Sequence, residues 1–253
     1  MIQRLLLHII LLLGVITSFG QTRDTLFAQA NMAYQNGKFE QAIHSYQDIL
    51  KSGYHSADLY YNIGNAYFKL NNLAPSIYNY EKALLLNPDH NDALNNLMFA
   101  KRSTIDVIEP LPKTLFQRIN QAVIYPISYN TWAWIAVFFA ISSSALFILY
   151  YFSLYSQRKK LFFILSFTGL GLFLLTLGLG IMAKHHFVND RPAIVFAKQI
   201  SVNNEPMTDA TENFVLHEGT KVQVKEDNND WYRIEIADGK TGWLQKDKIR
   251  LLK

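Results

Sequence analysis

Side chains able to do chemistry on a bond are few in this chain and do not converge. His44, His55, His90, His185, His186 and His217 stand in unrelated contexts. None falls in an HExxH spacing, and no nucleophile, base and orienting acid recur together. There is no cysteine. Thiolate nucleophiles, disulfides and cysteine-based zinc sites are therefore excluded, and the redox compartment is left open. His185-His186 are adjacent, so on a helix they point different ways and a solvated pair is expected rather than a metal site. The residues predict a protein that is not an enzyme and has no cofactor or metal. What does recur is a pattern of aromatic and amide side chains: Leu26 to Tyr34 returns 34 residues later as Tyr60 to Phe68.

The elements that would position those side chains are separated by two long apolar runs. Residues 127–152 and 161–183 contain no charge, and each exceeds the roughly 20 helical residues that a hydrocarbon core requires. They predict two transmembrane helices joined by a loop at 153–160 that closes on Arg158-Lys159-Lys160. Tyr125, Tyr129, Trp132 and Trp134 at one mouth, with Tyr150, Tyr151 and Tyr155 at the other, suit the headgroup layers. The basic loop places itself in the cytoplasm by the positive-inside tendency, so both flanking parts are expected on the opposite face. Thr168, Gly171 and Gly178 form a small-residue stripe expected to pack on Ser142-Ser143-Ser144-Ala145. Neither span holds an ionisable side chain, so no proton or ion route is expected.

The net charge of +4 is mostly a topology signal. Basic and acidic residues cancel over 21–126, and 185–253 is net −1. The surplus comes from Arg4, the loop triplet and Lys184. No soluble part carries the clustered basic face that nucleic acid requires. At the start, Arg4, an apolar core from Leu5 to Ile16, and the small residues Ser18 and Gly20 predict a signal peptide over 1–20. An uncleaved signal anchor is the alternative. Either reading exports the chain from Gln21 onward.

Residues 21–104 are helical and repetitive. Gly37 to Ile43 matches Asn71 to Ile77; Tyr46, Ile49 and Leu50 match Tyr80, Ala83 and Leu84; Asn87-Pro88 closes the second unit. Ala30, Gly64, Ala42 and Ser76 let paired helices touch, and Gly37 and Asn71 suit the turns. This 34-residue helix–turn–helix period resembles the tetratricopeptide repeat, TPR. A third start at Asn91 lacks a second helix and is expected to cap the stack. Two repeats and a cap fall below the usual three for independent stability, so the stack is expected to lean on the membrane, a copy of itself or a partner. The resemblance implies a concave groove lined by Phe27, Asn31 and Tyr34, then Tyr61, Asn65 and Phe68, then Asn95. Asn31 and Asn65 match the asparagines of repeats that clamp peptide C-termini, but Phe27 and Tyr61 stand where the basic partners would be. A groove for an extended peptide is implied instead.

Residues 105–126 read as a linker. Pro110 and Pro112 end regular structure, and Lys113 to Ile124 shows apolar residues at helical spacing. That helix either lies in the membrane interface or packs on the repeats. Residues 192–253 switch to strand grammar. Five short β-branched and aromatic runs are separated by turn-formers, and Asp238-Gly239 reads as a two-residue hairpin turn. A small β-barrel is expected. His217 to Val222, Asp230 to Ile234 and Asp238 to Leu244 resemble the recurrent blocks of the bacterial SH3 family. That resemblance implies a peptide or cell-wall ligand, with Trp231 and Tyr232 as its contacts.

The predicted fold is thus a multidomain membrane protein: an all-α TPR solenoid, a two-helix transmembrane hairpin and a small all-β SH3-like barrel. That order resembles the TPR–SH3 membrane proteins of the Bacteroides aerotolerance (Bat) operon, the BatE-type family. The resemblance implies a non-enzymatic scaffold in the inner membrane, with both modules periplasmic and the short loop cytoplasmic. It implies von Willebrand-factor-A-type Bat proteins as partners and oxidative or envelope stress as the setting. Peptidoglycan recognition by the barrel is the alternative.

Overall fold

The computed structural model describes residues 25–253; the expected signal segment lies outside them. The chain divides into two compact units, one built from the residues up to Glu109 together with Pro192–Lys253, the other from Pro110–Arg191. The first unit is thus formed by both ends of the described chain.

Five helices open the first unit: α1 (residues 25–35), α2 (Phe39–Lys51), α3 (Ala57–Lys69), α4 (Leu73–Leu86) and α5 (Asn91–Arg102). They form a TPR-like region. Small residues set how closely they approach. A Cβ on Gly64 of α3 would lie 2.7 Å from the ring of Tyr80 on α4, which is itself fully buried. Ser76 Oγ donates to the Gly64 carbonyl at 2.9 Å, using the space that the missing side chain leaves. Ser56 caps α3 through Leu59 N, and His90 Nδ1 caps α5 through Ala93 N.

Seven antiparallel strands complete the unit: β1 (Pro192–Val195), β2 (Gln199–Asn203), β3 (Glu212–His217), β4 (Lys221–Asn228), β5 (Trp231–Glu235), β6 (Thr241–Gln245) and β7 (Ile249–Leu251). Their order is β3-β2-β6-β5-β4-β1-β7, consistent with an SH3-like domain. Val202, Leu216, Val224, Ile234 and Leu244 are among its buried core residues. Two strands are additional to the five expected. β2 runs straight into the Asn203-Asn204 turn residues, and β7 has only three residues, after a short 3-10 turn at Lys246–Lys248. The hairpin at Asp238-Gly239 also differs. Ile236 N–H donates to Lys240 O at 3.0 Å, leaving a three-residue loop with Gly239 at φ +89°. A left-handed glycine closing such a loop restores the strand twist.

The strands and the helices share a core. Ala193 and Val195 of β1 enter the barrel interior. Ile194 between them points the other way, into a cluster with Ala74, Ile77, Tyr80, Leu97, Ala100 and Leu252. Alternation along one strand therefore glues two modules. The short repeat stack leans on the barrel of its own chain.

The second unit begins with a capping box at Thr114 and Gln117, which starts a helix at Leu115–Ile119 (α6). A π-helical turn continues it over Asn120–Ile124. Two long helices come next, α7 (Tyr129–Phe152) and α8 (Ser156–Asn189), both long and apolar enough to cross a membrane. At 1.5 Å per residue α7 is about 36 Å long and α8 about 51 Å, against a hydrocarbon core of about 30 Å. The connection is only Ser153–Tyr155, because Arg158-Lys159-Lys160 lie in the first turns of α8 rather than in a loop. The small-residue stripe is displaced from the expected one. Gly171 and Gly178 face open space, whereas Ser166, Gly169, Thr176 and Ala183 are buried. Ser143 Oγ donates to Ser166 O at 2.8 Å, and Ser166 Oγ to Ser143 O at 3.1 Å, so each helix satisfies the other. The stripe differs because small residues lie on more than one face of α8, and the contact with α7 takes the face that holds the serine.

Candidate functional site

The helical repeats carry a polar ladder with the 34-residue period. Tyr46 Oη donates to Asn31 Oδ1 at 2.5 Å, and Asn62 Nδ2 reaches the same oxygen at 3.4 Å. One repeat later Tyr80 Oη donates to Asn65 Oδ1 at 2.7 Å, and Asn96 Nδ2 at 2.8 Å. Each asparagine carbonyl is thus used to tie three helices together. The amide nitrogens of Asn31 and Asn65 have no partner among the described residues. Burial, then the neighbouring Tyr34, pushes the Tyr46 hydroxyl up to about 12, and burial raises that of Tyr80 as well, so both remain donors. Changing Tyr80→Phe is expected to cost about 1 kcal/mol, since Asn65 keeps its bond from Asn96. The denaturant midpoint of the full chain in detergent would report it.

The other expected groove residues lie around this ladder. Phe27 is half-buried, its ring 5.8 Å from that of Tyr46. Tyr34 meets Phe39 edge-on at 5.3 Å. Tyr61 contacts Tyr80 and lies 4.9 Å from the ring of His90. Phe68 and Asn95 are exposed. The same period reaches two residues beyond the expected set. Phe99 stands 34 after Asn65 and Arg102 stands 34 after Phe68; the Arg102 guanidinium lies 5.6 Å over the Phe99 ring.

On the barrel, the structure places Trp231 and Tyr232 on opposite faces of β5. Tyr232 packs against the barrel core beside Ile234, and Lys246 Nζ lies 4.9 Å above its ring. Trp231 and Arg233 take the outer face. There Arg233 is opposite Trp243 of β6 and bonds Glu226 at 2.6 Å. Trp231, Arg233 and Trp243 therefore make one aromatic–cation strip. The period of two along a strand was the available signal for it.

The junction between helices and barrel is ionic as well as apolar. Glu81, 7% exposed, accepts from Lys101 at 2.8 Å and from Lys221 at 2.6 Å. Asp106 accepts from Thr220 Oγ1 at 2.5 Å, from His217 N at 2.7 Å and from His217 Nδ1 at 2.7 Å. Burial pushes both carboxyls up. Lys221 and Lys101 outweigh it at Glu81, and the Thr220 and His217 donors outweigh it at Asp106, so both end below the usual carboxylate range. A lowered folded-state value stabilises docking above the unfolded value near 4 and loses it as pH falls through the folded value. Denaturant midpoints measured from pH 7 down to pH 3 are expected to fall at the acid end. Replacing Asp106→Asn should flatten part of that fall.

Two family matches accompany this geometry. Residues 57–90 match Tetratricopeptide repeat, and residues 202–249 match Bacterial SH3 domain. No curated protein matches the chain. Both are families of binding modules, so the coarse role is binding of protein or cell wall.

Proposed function

We propose that this chain is a non-enzymatic membrane scaffold that presents two binding surfaces on one side of a bilayer. One observation carries the reading: a single packed unit of repeats and barrel is interrupted, between Glu109 and Pro192, by two helices able to span. If those helices cross, the two halves of the unit must share one aqueous side, because they share a core. The basic start of α8 then favours the cytoplasm for the hairpin tip and the periplasm for the modules. The amide donors of Asn31 and Asn65, without a partner among the described residues and set among Phe27, Tyr34, Tyr61, Phe68 and Asn95, suit the carbonyls of an extended peptide. Held together, the repeats and barrel turn weak single contacts into avidity. The resemblance to BatE-type proteins supports a Bat-type envelope complex with von Willebrand-factor-A-type membrane proteins, linked to oxidative or envelope stress.

The chain lacks cysteine, so single-cysteine variants test the topology cleanly. Met98→Cys and Lys240→Cys should react with an impermeant maleimide from outside, and Gln157→Cys should not. The reverse pattern would invert the orientation. Crosslinking and capture from native membranes tests the partners; recovery without any von Willebrand-factor-A-type protein would remove the Bat assignment. A second reading, a peptidoglycan sensor, is favoured by the Trp231–Arg233–Trp243 strip. Retention of the solubilised chain on purified sacculi, lost on Trp231→Ala, would support the sensor over the scaffold.

A further inference from the structure

From residue 110 to residue 189 the sequence contains no aspartate or glutamate, yet it holds Lys113, Arg118, Arg158, Lys159, Lys160 and Lys184. No intramolecular carboxylate in that stretch can balance these cations. Three of them crowd the first turns of α8, where the helix dipole disfavours positive side chains by about 0.3–1 kcal/mol each. Beside them is a cavity of about 430 Å³ lined by Tyr150, Ser156, Lys159, Lys160, Phe163 and Ile164. Its volume falls in the roughly 300–1,000 Å³ range of small-molecule sites.

The composition of the cavity sorts into two ends. Phe163, Ile164 and the Tyr150 ring supply an apolar wall. Phe163 lies 5.5 Å from Tyr150, so the wall is continuous across α7 and α8. Lys159, Lys160 and the Ser156 hydroxyl supply a cationic, hydrogen-bonding rim. Lys159 Nζ lies 5.3 Å over the Tyr150 ring, which joins the rim to the wall. Among the described residues no carboxylate pairs with Arg158, Lys159 or Lys160.

We infer that this cavity is a binding site for one anionic phospholipid. Its phosphodiester lies against Lys159, Lys160 and Ser156, and an acyl chain lies along Phe163 and Ile164. An ordered lipid there supplies the missing counter-charge and fills the apolar wall at the same time. A soluble anion would meet only the rim, and a zwitterionic lipid brings its own cation to a site that already has two. The inference rests on the membrane reading above.

Native mass spectrometry of the full chain in detergent tests it, with dioleoyl phosphatidylglycerol, dioleoyl phosphatidylcholine and inorganic phosphate as separate probes. The expected result is one retained phosphatidylglycerol, weaker phosphatidylcholine and no phosphate adduct. The double change Lys159→Gln, Lys160→Gln should weaken phosphatidylglycerol about twenty-fivefold, at about fivefold for each lysine near a lipid surface. Arg118→Gln, away from the cavity lining, should leave it unchanged. Equal retention of both lipids, competition by phosphate alone, or wild-type binding by the double variant would each overturn the site. Both lysines are exposed, so their loss does not threaten folding. Alkaline-carbonate extraction separates the two readings: a chain that stays in membranes but shows no lipid preference overturns this site alone, whereas a chain that washes off overturns the membrane reading.

Discussion

Replacing Ile194→Asp is expected to release the helical repeats from the barrel while the barrel keeps its own sheet. Ile194 is fully buried, but its surroundings are Ile77, Tyr80, Leu97 and Leu252, not the barrel interior. Losing the aliphatic side chain alone would cost about 2–5 kcal/mol. An unpaired carboxylate buried there adds several more, by order of magnitude. Undocking removes that second penalty by returning the carboxylate to water, so separation is the cheapest response. β1 stays held by β4 and β7 on its two edges, and Ala193 and Val195 still fill the barrel. Hydrogen exchange on the full chain in detergent should therefore show α4 and α5 losing protection while β4, β5 and β6 retain theirs. Ile194→Val, which keeps most of the contact, should cost only about 0.5–1.5 kcal/mol. Joint loss of protection in both modules, or in neither, would show that the coupling lies elsewhere.

The second large effect is expected from removing both lysines around Glu81. In Lys101→Met, Lys221→Met the carboxylate stays buried with no cation beside it. Breaking an enclosed pair costs about 3–5 kcal/mol. Both lysines are more than two-fifths exposed here, so a loss of about 2–3 kcal/mol is expected after solvent screening. Adding Glu81→Leu to that variant should recover most of the loss, because an apolar triad leaves nothing unpaired. The double variant should also reverse the acid response at this site. Its Glu81 takes up a proton on folding, so lowering the pH relieves the penalty. Urea midpoints at pH 7 and pH 5 check both points; a double variant as stable as the parent would mean that Glu81 is solvated.

The 34-residue period was legible because each repeat must place small residues where its helices touch. Ala30 and Gly64 do so, and the same count carries through to Phe99 and Arg102 at the cap. Strand runs were legible in β3 to β6 because apolar residues alternate there. β2 and β7 were not, being short and interrupted by turn residues. The ladder asparagines illustrate a different limit. Their positions were readable, but Tyr46 and Tyr80 lie 15 residues away on the next helix, and only packing shows that they occupy the carbonyls.

By itself the sequence determined the repeat register, the uncharged length of the two long helices and the class of the C-terminal sheet. Each of these is written in local periodicity, charge and turn chemistry. The tertiary structure alone decided that the barrel covers the end of the repeat stack. Asp106 meets His217 across 111 positions and Tyr78 meets Leu251 across 173. A local pattern tells which face of an element avoids water, but only the folded chain settles what covers that face.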